Sequence, residues 1–96
     1  MIAFDNFKED CKKIGELGYL MRKMREDQSL TTKYVADKLY VSEQLVYAWE
    51  NGTRLASYNH LSDFTRLMKC DRIETILLEK AFICALAERK GMSIYD

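Results

Sequence analysis

The chain has no proline and only four glycines in 96 residues. Strand-like alternation of apolar and polar residues is also scarce, and these absences together favour an all-helical fold. There is no excess of either charge: fifteen basic and fifteen acidic residues give a formal net charge of zero. Nucleic-acid binders draw much of their affinity from phosphate neutralisation, so composition alone lends that function no support, and any basic footprint must come from segregated charge. The three cysteines, Cys11, Cys70 and Cys84, are odd in number and widely spaced, with no CxxC and no Cys/His cluster. They suggest neither a zinc site nor a disulfide framework, and read as small apolar or near-surface thiols of a reducing compartment. No glycine-rich phosphate loop is present, and no metal or cofactor is expected. The N-terminus, MIAFDNFKEDC, shows neither a basic n-region nor an apolar h-region. The longest apolar run, Ile76 to Ala87, contains Glu79 and Lys80 and is too short to span a bilayer. The expectation is a cytoplasmic protein with no membrane contact.

What is present is 48 % hydrophobic residues, enough for the modest core of one domain over residues 1–96. Six helices are expected. Phe4, Phe7, Cys11 and Ile14 recur at three and four residues, marking a first helix over 4–14, and Asn6 followed by Glu9 has the form of a reciprocal cap. Gly15 and Gly18 weaken propagation and place a bend or break there. Leu20, Met21 and Met24 form the apolar side of a second helix, which resumes at about Leu17 and fades at Asp27-Gln28-Ser29.

The stretch Leu30 to Arg54 then reads LTTKYVADKLYVSEQLVYAWENGTR. Two short helices, 32–39 and 43–51, stand about one turn apart. Thr31 and Ser42 precede them as hydroxyl N-caps, and Gly52 supplies the left-handed residue that ends the second. Val35, Ala36 and Leu39 line one face of the first helix; Leu45, Val46 and Trp49 line one face of the second. Small Ala36 lets the two cross closely. This is the layout of a helix-turn-helix, whose second helix offers its outer face to a DNA groove. Ser57 caps a further helix with Tyr58, Leu61, Phe64 (or Thr65), Leu67 and Met68 on its apolar side. Asp71 with Glu74 is a capping-box signature for the last helix, expected over 71–90 and stopped by Gly91.

With those residues in place, the chain resembles the phage-repressor/Cro (Xre-like) helix-turn-helix family over Leu17 to about Met68. Leu17-Gly18 and Met21-x-x-Met24-Arg25 look like its first helix. Leu30-Thr31 with Val35-Ala36-x-Lys38-Leu39 look like its second. Val41-Ser42-x-x-x-Val46-x-x-Trp49-Glu50-Asn51-Gly52 look like its recognition helix and exit, and Leu61 with Leu67-Met68 like its fourth helix. The resemblance implies a lambda-repressor-like bundle, here with an extra N-terminal helix and a long apolar C-terminal one. It also implies an ion pair between Arg25 and Glu50 that ties the first helix to the end of the recognition helix, a structural role. The chain departs from the family pattern at Tyr40, where the turn often has glycine. It departs again at Thr32, where a glutamine often reaches a phosphate, and near Ala56, where proline is usual.

On a recognition helix with Leu45, Val46 and Trp49 inward, the outward residues are Glu43, Gln44, Tyr47, Ala48 and Asn51. Gln44 has clear base-reading chemistry, because its amide can pair bidentately with adenine. Tyr47 and Ala48 can meet thymine methyls, and Glu43 can accept from cytosine although it repels a nearby phosphate. Glu43 also complements the helix dipole whether or not DNA is present. No Lys or Arg lies between Lys38 and Arg54. Phosphate contacts are therefore expected from Thr32, Lys33, Ser42, Asn51, Thr53 and Arg54, helped by the amides of the helix starts.

The last helix is apolar nearly all round, which calls for cover on more than one side. Ile76, Leu77, Ala81, Phe82, Ile83 and Leu86 are the expected homodimer interface. Ser57, His60 and Asp63 lie at three-residue steps, but three residues on one exposed helix make no oxyanion hole, and enzyme activity is not expected. The leading functional reading is a dimeric transcriptional regulator, a repressor occupying a double-stranded DNA operator through helix 43–51. The competing reading is a protein–protein adaptor or antirepressor-like module on the same scaffold, docking on another regulator without binding DNA.

Overall fold

The computed structural model describes residues 16–89. Five helices make up this region: α1 (Glu16–Asp27), α2 (Thr32–Leu39), α3 (Glu43–Asn51), α4 (Tyr58–Leu67) and α5 (Arg72–Arg89), with no strand among the described residues. The sequence expectation for α2 and α3 coincides with these bounds, and α5 lies within the expected 71–90. The helix expected over 4–14 lies outside the described residues.

Local chemistry explains where each helix begins. The Thr31, Ser42 and Ser57 hydroxyls accept from the amides of Tyr34, Leu45 and His60 at 3.0, 3.1 and 3.1 Å. Each satisfies an amide that the first turn leaves without a helical partner. At α5 the cap is reciprocal: the Glu74 amide donates to Asp71 Oδ1 at 2.8 Å, and the Asp71 amide donates to Glu74 Oε1 at 3.0 Å.

The helix ends depend on left-handed residues. Gly52 takes φ 83° after α3 and points its amide at the Ala48 and Trp49 carbonyls. Tyr40 does the same after α2, at φ 58° and ψ 42°, with its amide directed at the Ala36 and Asp37 carbonyls. A side chain there costs about 1–2 kcal/mol relative to the usual backbone regions. The ring is 95 % exposed, so packing returns nothing against that cost. The turn keeps its left-handed geometry although the glycine often found there is missing.

The core is built from one face of every helix. Leu17, Leu20, Met21 and Met24 of α1 meet Val35, Ala36 and Leu39 of α2, Val46 and Trp49 of α3, Leu61 and Phe64 of α4, and Leu78, Ala81 and Cys84 of α5. Burying each of the larger side chains contributes roughly 1.5–3 kcal/mol. The helix-turn-helix pair sits between α1 on one side and α4 on the other, with α5 closing over α1.

Two sequence expectations need correction. Gly18 does not break a helix: it lies inside α1 and is buried. A Cβ there would stand 2.1 Å from the Trp49 carbonyl oxygen and 2.6 Å from that of Glu50. Gly18 is therefore the point where α1 and the end of α3 touch backbone to backbone, at the cost in helix propensity that glycine carries. The second correction concerns α5. Leu77 and Ala81, expected at a dimer interface, are fully buried within the single chain, and Phe82 is half-buried against the Tyr58 ring, 5.9 Å between centroids. A helix apolar on all sides has divided its side chains. One face completes the monomer core, and another, carrying Ile76, Ile83 and Leu86, stays exposed.

The Gly18 contact gives a sharp expectation. Gly18→Ala forces α1 away from α3 and should cost about 3 kcal/mol, at the upper end of overpacking penalties, lowering the melting temperature by more than about 10 °C. An unchanged melting temperature by circular dichroism would mean that the two backbones do not meet there.

Candidate nucleic-acid interface

The outer face of α3 is fixed by what its inner face buries. Val46 and Trp49 are buried and Leu45 is partly buried against the core. That leaves Gln44, Tyr47 and Asn51 exposed, with Glu43 and Ala48 half-buried at the margins. Gln44 near the first turn and Tyr47 one turn later are thus presented together on a rigid helix.

At the start of this face three polar side chains are joined. The Thr32 hydroxyl, from the first residue of α2, donates to Glu43 Oε2 at 2.6 Å. The Tyr47 hydroxyl approaches the same oxygen at 3.4 Å. Thr32 is buried, and its hydroxyl is directed to Glu43 rather than to a passing phosphate. The bond joins the first residues of two helices and orients the carboxylate at the positive end of the α3 dipole. Glu43 keeps acceptor capacity on its other oxygen. Sequence reasoning treated Thr32 and Glu43 separately and missed the pairing. The signal was available in that both residues open helices joined by a short turn.

The remaining expected anchors lie around α3. Ser42 caps the helix through its oxygen, which leaves its hydroxyl proton available to donate. Lys33 is exposed and 3.7 Å from Asp37. Asn51 Oδ1 accepts from the Thr53 amide at 3.0 Å and the Thr53 hydroxyl at 2.8 Å, which shapes the exit from the helix. Thr53 and Arg54 are exposed beyond it. A cation that α3 lacks comes from α1: Arg22 lines an open groove together with Arg25, Glu26, Tyr47, Glu50 and Asn51. Arg22 is exposed and makes a 3.3 Å pair with Glu26. It was not visible as a site residue because it is far from α3 in sequence.

Behind this groove lies the bond that holds the arrangement. Arg25 Nε and Nη2 donate to the two Glu50 carboxylate oxygens at 2.7 and 3.0 Å, and Nη1 donates to the Leu30 carbonyl at 2.8 Å. The side chains are only 13 % and 8 % exposed. The bond to Glu50 raises the Arg25 pKa more than burial lowers it, so the guanidinium stays charged. One side chain thus joins α1, the end of α3 and the segment entering α2.

The other chemistry-bearing residues have structural roles. The His60 ring packs on Trp49, 5.2 Å between centroids, with Nδ1 3.1 Å from the Ser57 hydroxyl, while Asp63 pairs with Arg66. Ser57, His60 and Asp63 therefore form no relay. Burial pushes the Cys70 thiol up to about 11, helped by Glu74 and Asp71. No group of three or more His, Cys, Asp or Glu among the described residues could hold a metal ion, and no described helix is long and apolar enough to cross a membrane.

Comparison with known proteins places this geometry. Residues 21–74, more than half of the chain, match the helix-turn-helix family HTH_3, of the Xre/lambda-repressor-like type. The match runs from the middle of α1 through the start of α5 and contains all of α2, α3 and α4. No curated protein and no solved structure matches the chain.

The Arg25–Glu50 pair should behave as a mostly buried ion pair. Glu50→Leu alone leaves the guanidinium without its carboxylate and should cost about 3–5 kcal/mol. Arg25→Met with Glu50→Leu should cost less than the two single changes summed, because no charge is then stranded. Urea unfolding of the three variants would check this; a double variant that loses the full sum would show that the residues act independently.

Proposed function

The chain belongs to the helix-turn-helix family of DNA-binding regulators, and from that premise we propose that it is a sequence-specific repressor that binds an operator as a homodimer. The observation that carries this reading is the face of α3. Gln44 and Tyr47 project from a helix whose other side is locked into the core, and Glu43 is held at its start by Thr32. In the major groove Gln44 pairs with adenine N6 and N7, Tyr47 and Ala48 lie against thymine methyls, and the free acceptor of Glu43 faces a cytosine amino group.

Phosphate contacts come from both sides of the helix: Lys33, Ser42, the side-chain NH2 of Asn51 and Arg54, with Arg22 from α1 added, while Thr53, whose amide and hydroxyl both donate to Asn51 Oδ1, shapes the exit from the helix instead. Thr32 serves by positioning Glu43. With net charge zero and Glu43 on the reading face, non-specific attraction to DNA is weak. Two copies on paired half-sites, roughly 34 Å apart or a multiple of that, recover the affinity that one copy lacks. A DNA operator as the target makes the cytoplasm the proposed place of action.

The test is selection of duplexes from a random library at low salt, followed by titration of the enriched sequence. The expected outcome is an inverted repeat with an adenine in each half-site. Gln44→Ala should then weaken binding to that duplex by roughly 5- to 150-fold, the value of a bidentate base contact, and leave binding to unrelated DNA unchanged. Equal losses on both would remove Gln44 as a base reader. Failure to enrich any sequence even at low salt would overturn the proposal in favour of an adaptor that docks on another regulator.

A further inference from the structure

Three sulfur-bearing residues meet near the C-terminal end of α1. Met24 of α1, Met68 at the end of α4 and Cys70 just beyond it line one cavity of about 100 Å³, and Asp27, Gln28 and Glu74 complete its wall. The Cys70 thiol donates to Met24 Sδ at 3.7 Å, a contact between residues 46 apart in sequence. Lys69, left-handed at φ 55°, turns the chain between Met68 and Cys70. The Gln28 side-chain amide donates to the Met68 carbonyl at 2.6 Å and so holds the end of α4 against the end of α1. Met24 and Met68 are buried and Cys70 is half-buried, so the cluster is reached from solvent through Cys70.

We propose that this cluster binds one Cu(I) ion, held by the Cys70 thiolate and the Met24 thioether, with the Met68 thioether as third donor. Thiolate and thioether sulfurs are the soft donors that select Cu(I). Two sulfurs bound to one ion at about 2.3 Å each stand about 3.8–4.0 Å apart. Cys70 Sγ and Met24 Sδ already stand 3.7 Å apart, so binding asks for little movement. As the ion enters, the Cys70 S–H bond breaks, its proton leaves to solvent and a sulfur–copper bond forms. Copper stays Cu(I) throughout, and nothing is oxidised or reduced. The ion takes over the link between the two sulfurs that the thiol proton now makes.

Charge selects the class of ion. One thiolate with one monovalent cation makes a neutral centre, which a largely buried site accepts. A divalent ion on the same donors would leave a net positive charge among buried thioethers. Harder ions find no alternative set, because no three His, Cys, Asp or Glu side chains among the described residues gather to hold one. Glu74 Oε1 is already engaged by the Asp71 amide. None of the lining residues is basic, so no ammonium or guanidinium stands in the wall against an entering cation. The donors come from α1 and from the connection between α4 and α5, so a bound ion cross-links these elements. None of them belongs to the face of α3.

The test is an anaerobic titration of the reduced full chain with Cu(I), without DNA, in competition with a coloured Cu(I) chelator. The expected result is one Cu(I) per chain, with sulfur as the sole ligand type in X-ray absorption and no displacement by zinc. Cys70→Ser should abolish binding. Met24→Leu nearly conserves core volume and should weaken binding by about tenfold or more, as should Met68→Leu. Cys11→Ser and Cys84→Ala should bind as the wild type does, and thermal melts would verify that every chain is folded. No capture of copper from the chelator, nitrogen or oxygen ligands, or displacement by zinc would each overturn the proposal. So would a folded Met24→Leu chain that binds as tightly as the wild type, or copper lost with Cys11 or Cys84 and kept without Cys70. Because no DNA is present, such a failure would leave the reading of α3 untouched.

Discussion

The Arg25 guanidinium is the junction on which the helix-turn-helix depends. It reaches both oxygens of Glu50 and the carbonyl of Leu30, so one planar group fixes α1, the last turn of α3 and the chain entering α2. A lysine could not make three directed bonds from one head group at these positions. The Gly18 contact completes the junction: with no Cβ between them, α1 rests on the carbonyls of Trp49 and Glu50, one of them belonging to the glutamate that Arg25 holds. Apolar burial supplies most of the stability, but it is nearly indifferent to a small rotation of α3. The bidentate pair and the backbone contact are directional, and they set which residues α3 turns outward.

That constraint matters because the outward face carries little charge of its own. Gln44 and Tyr47 supply hydrogen bonds and apolar edges, and Glu43 adds an acceptor whose orientation is set from α2 by Thr32. The cations lie on neighbouring elements, Arg22 on α1 and Arg54 after α3. A face of this kind gains from geometry more than from general attraction to phosphate, and so favours discrimination over affinity. The proposed homodimer complements it, since two copies on paired half-sites would supply affinity without adding positive charge.

Much of this architecture was legible in the sequence because its signals are local. Thr31, Ser42 and Ser57 cap helices where a hydroxyl precedes an apolar-periodic run, Asp71 and Glu74 close a reciprocal cap, and Gly52 ends α3. The apolar positions of α1 to α4 recur at helical spacing and form the core. What was not legible depends on pairs distant in sequence. Gly18 reads as a helix breaker until Trp49 is placed against it. Thr32 reads as a phosphate donor until Glu43 arrives at its hydroxyl, and Arg22 reads as an ordinary surface charge until Tyr47 and Asn51 stand beside it. On α5 the periodicity carries no direction, because a helix apolar on every side does not reveal which residues the monomer takes. Leu77 and Ala81 went to the core, while Ile76, Ile83 and Leu86 remained outside.

The central claim is that the chain meets DNA through α3 as held by α1 and α2. The most direct measurement is a nuclear magnetic resonance titration of the isotope-labelled full chain with a selected duplex. The expected result is that the largest shifts fall on the amides of residues 42–48 and on the Gln44 side-chain amide, with the exposed row of α5 little changed. Shifts confined to α5, with α3 silent, would contradict it.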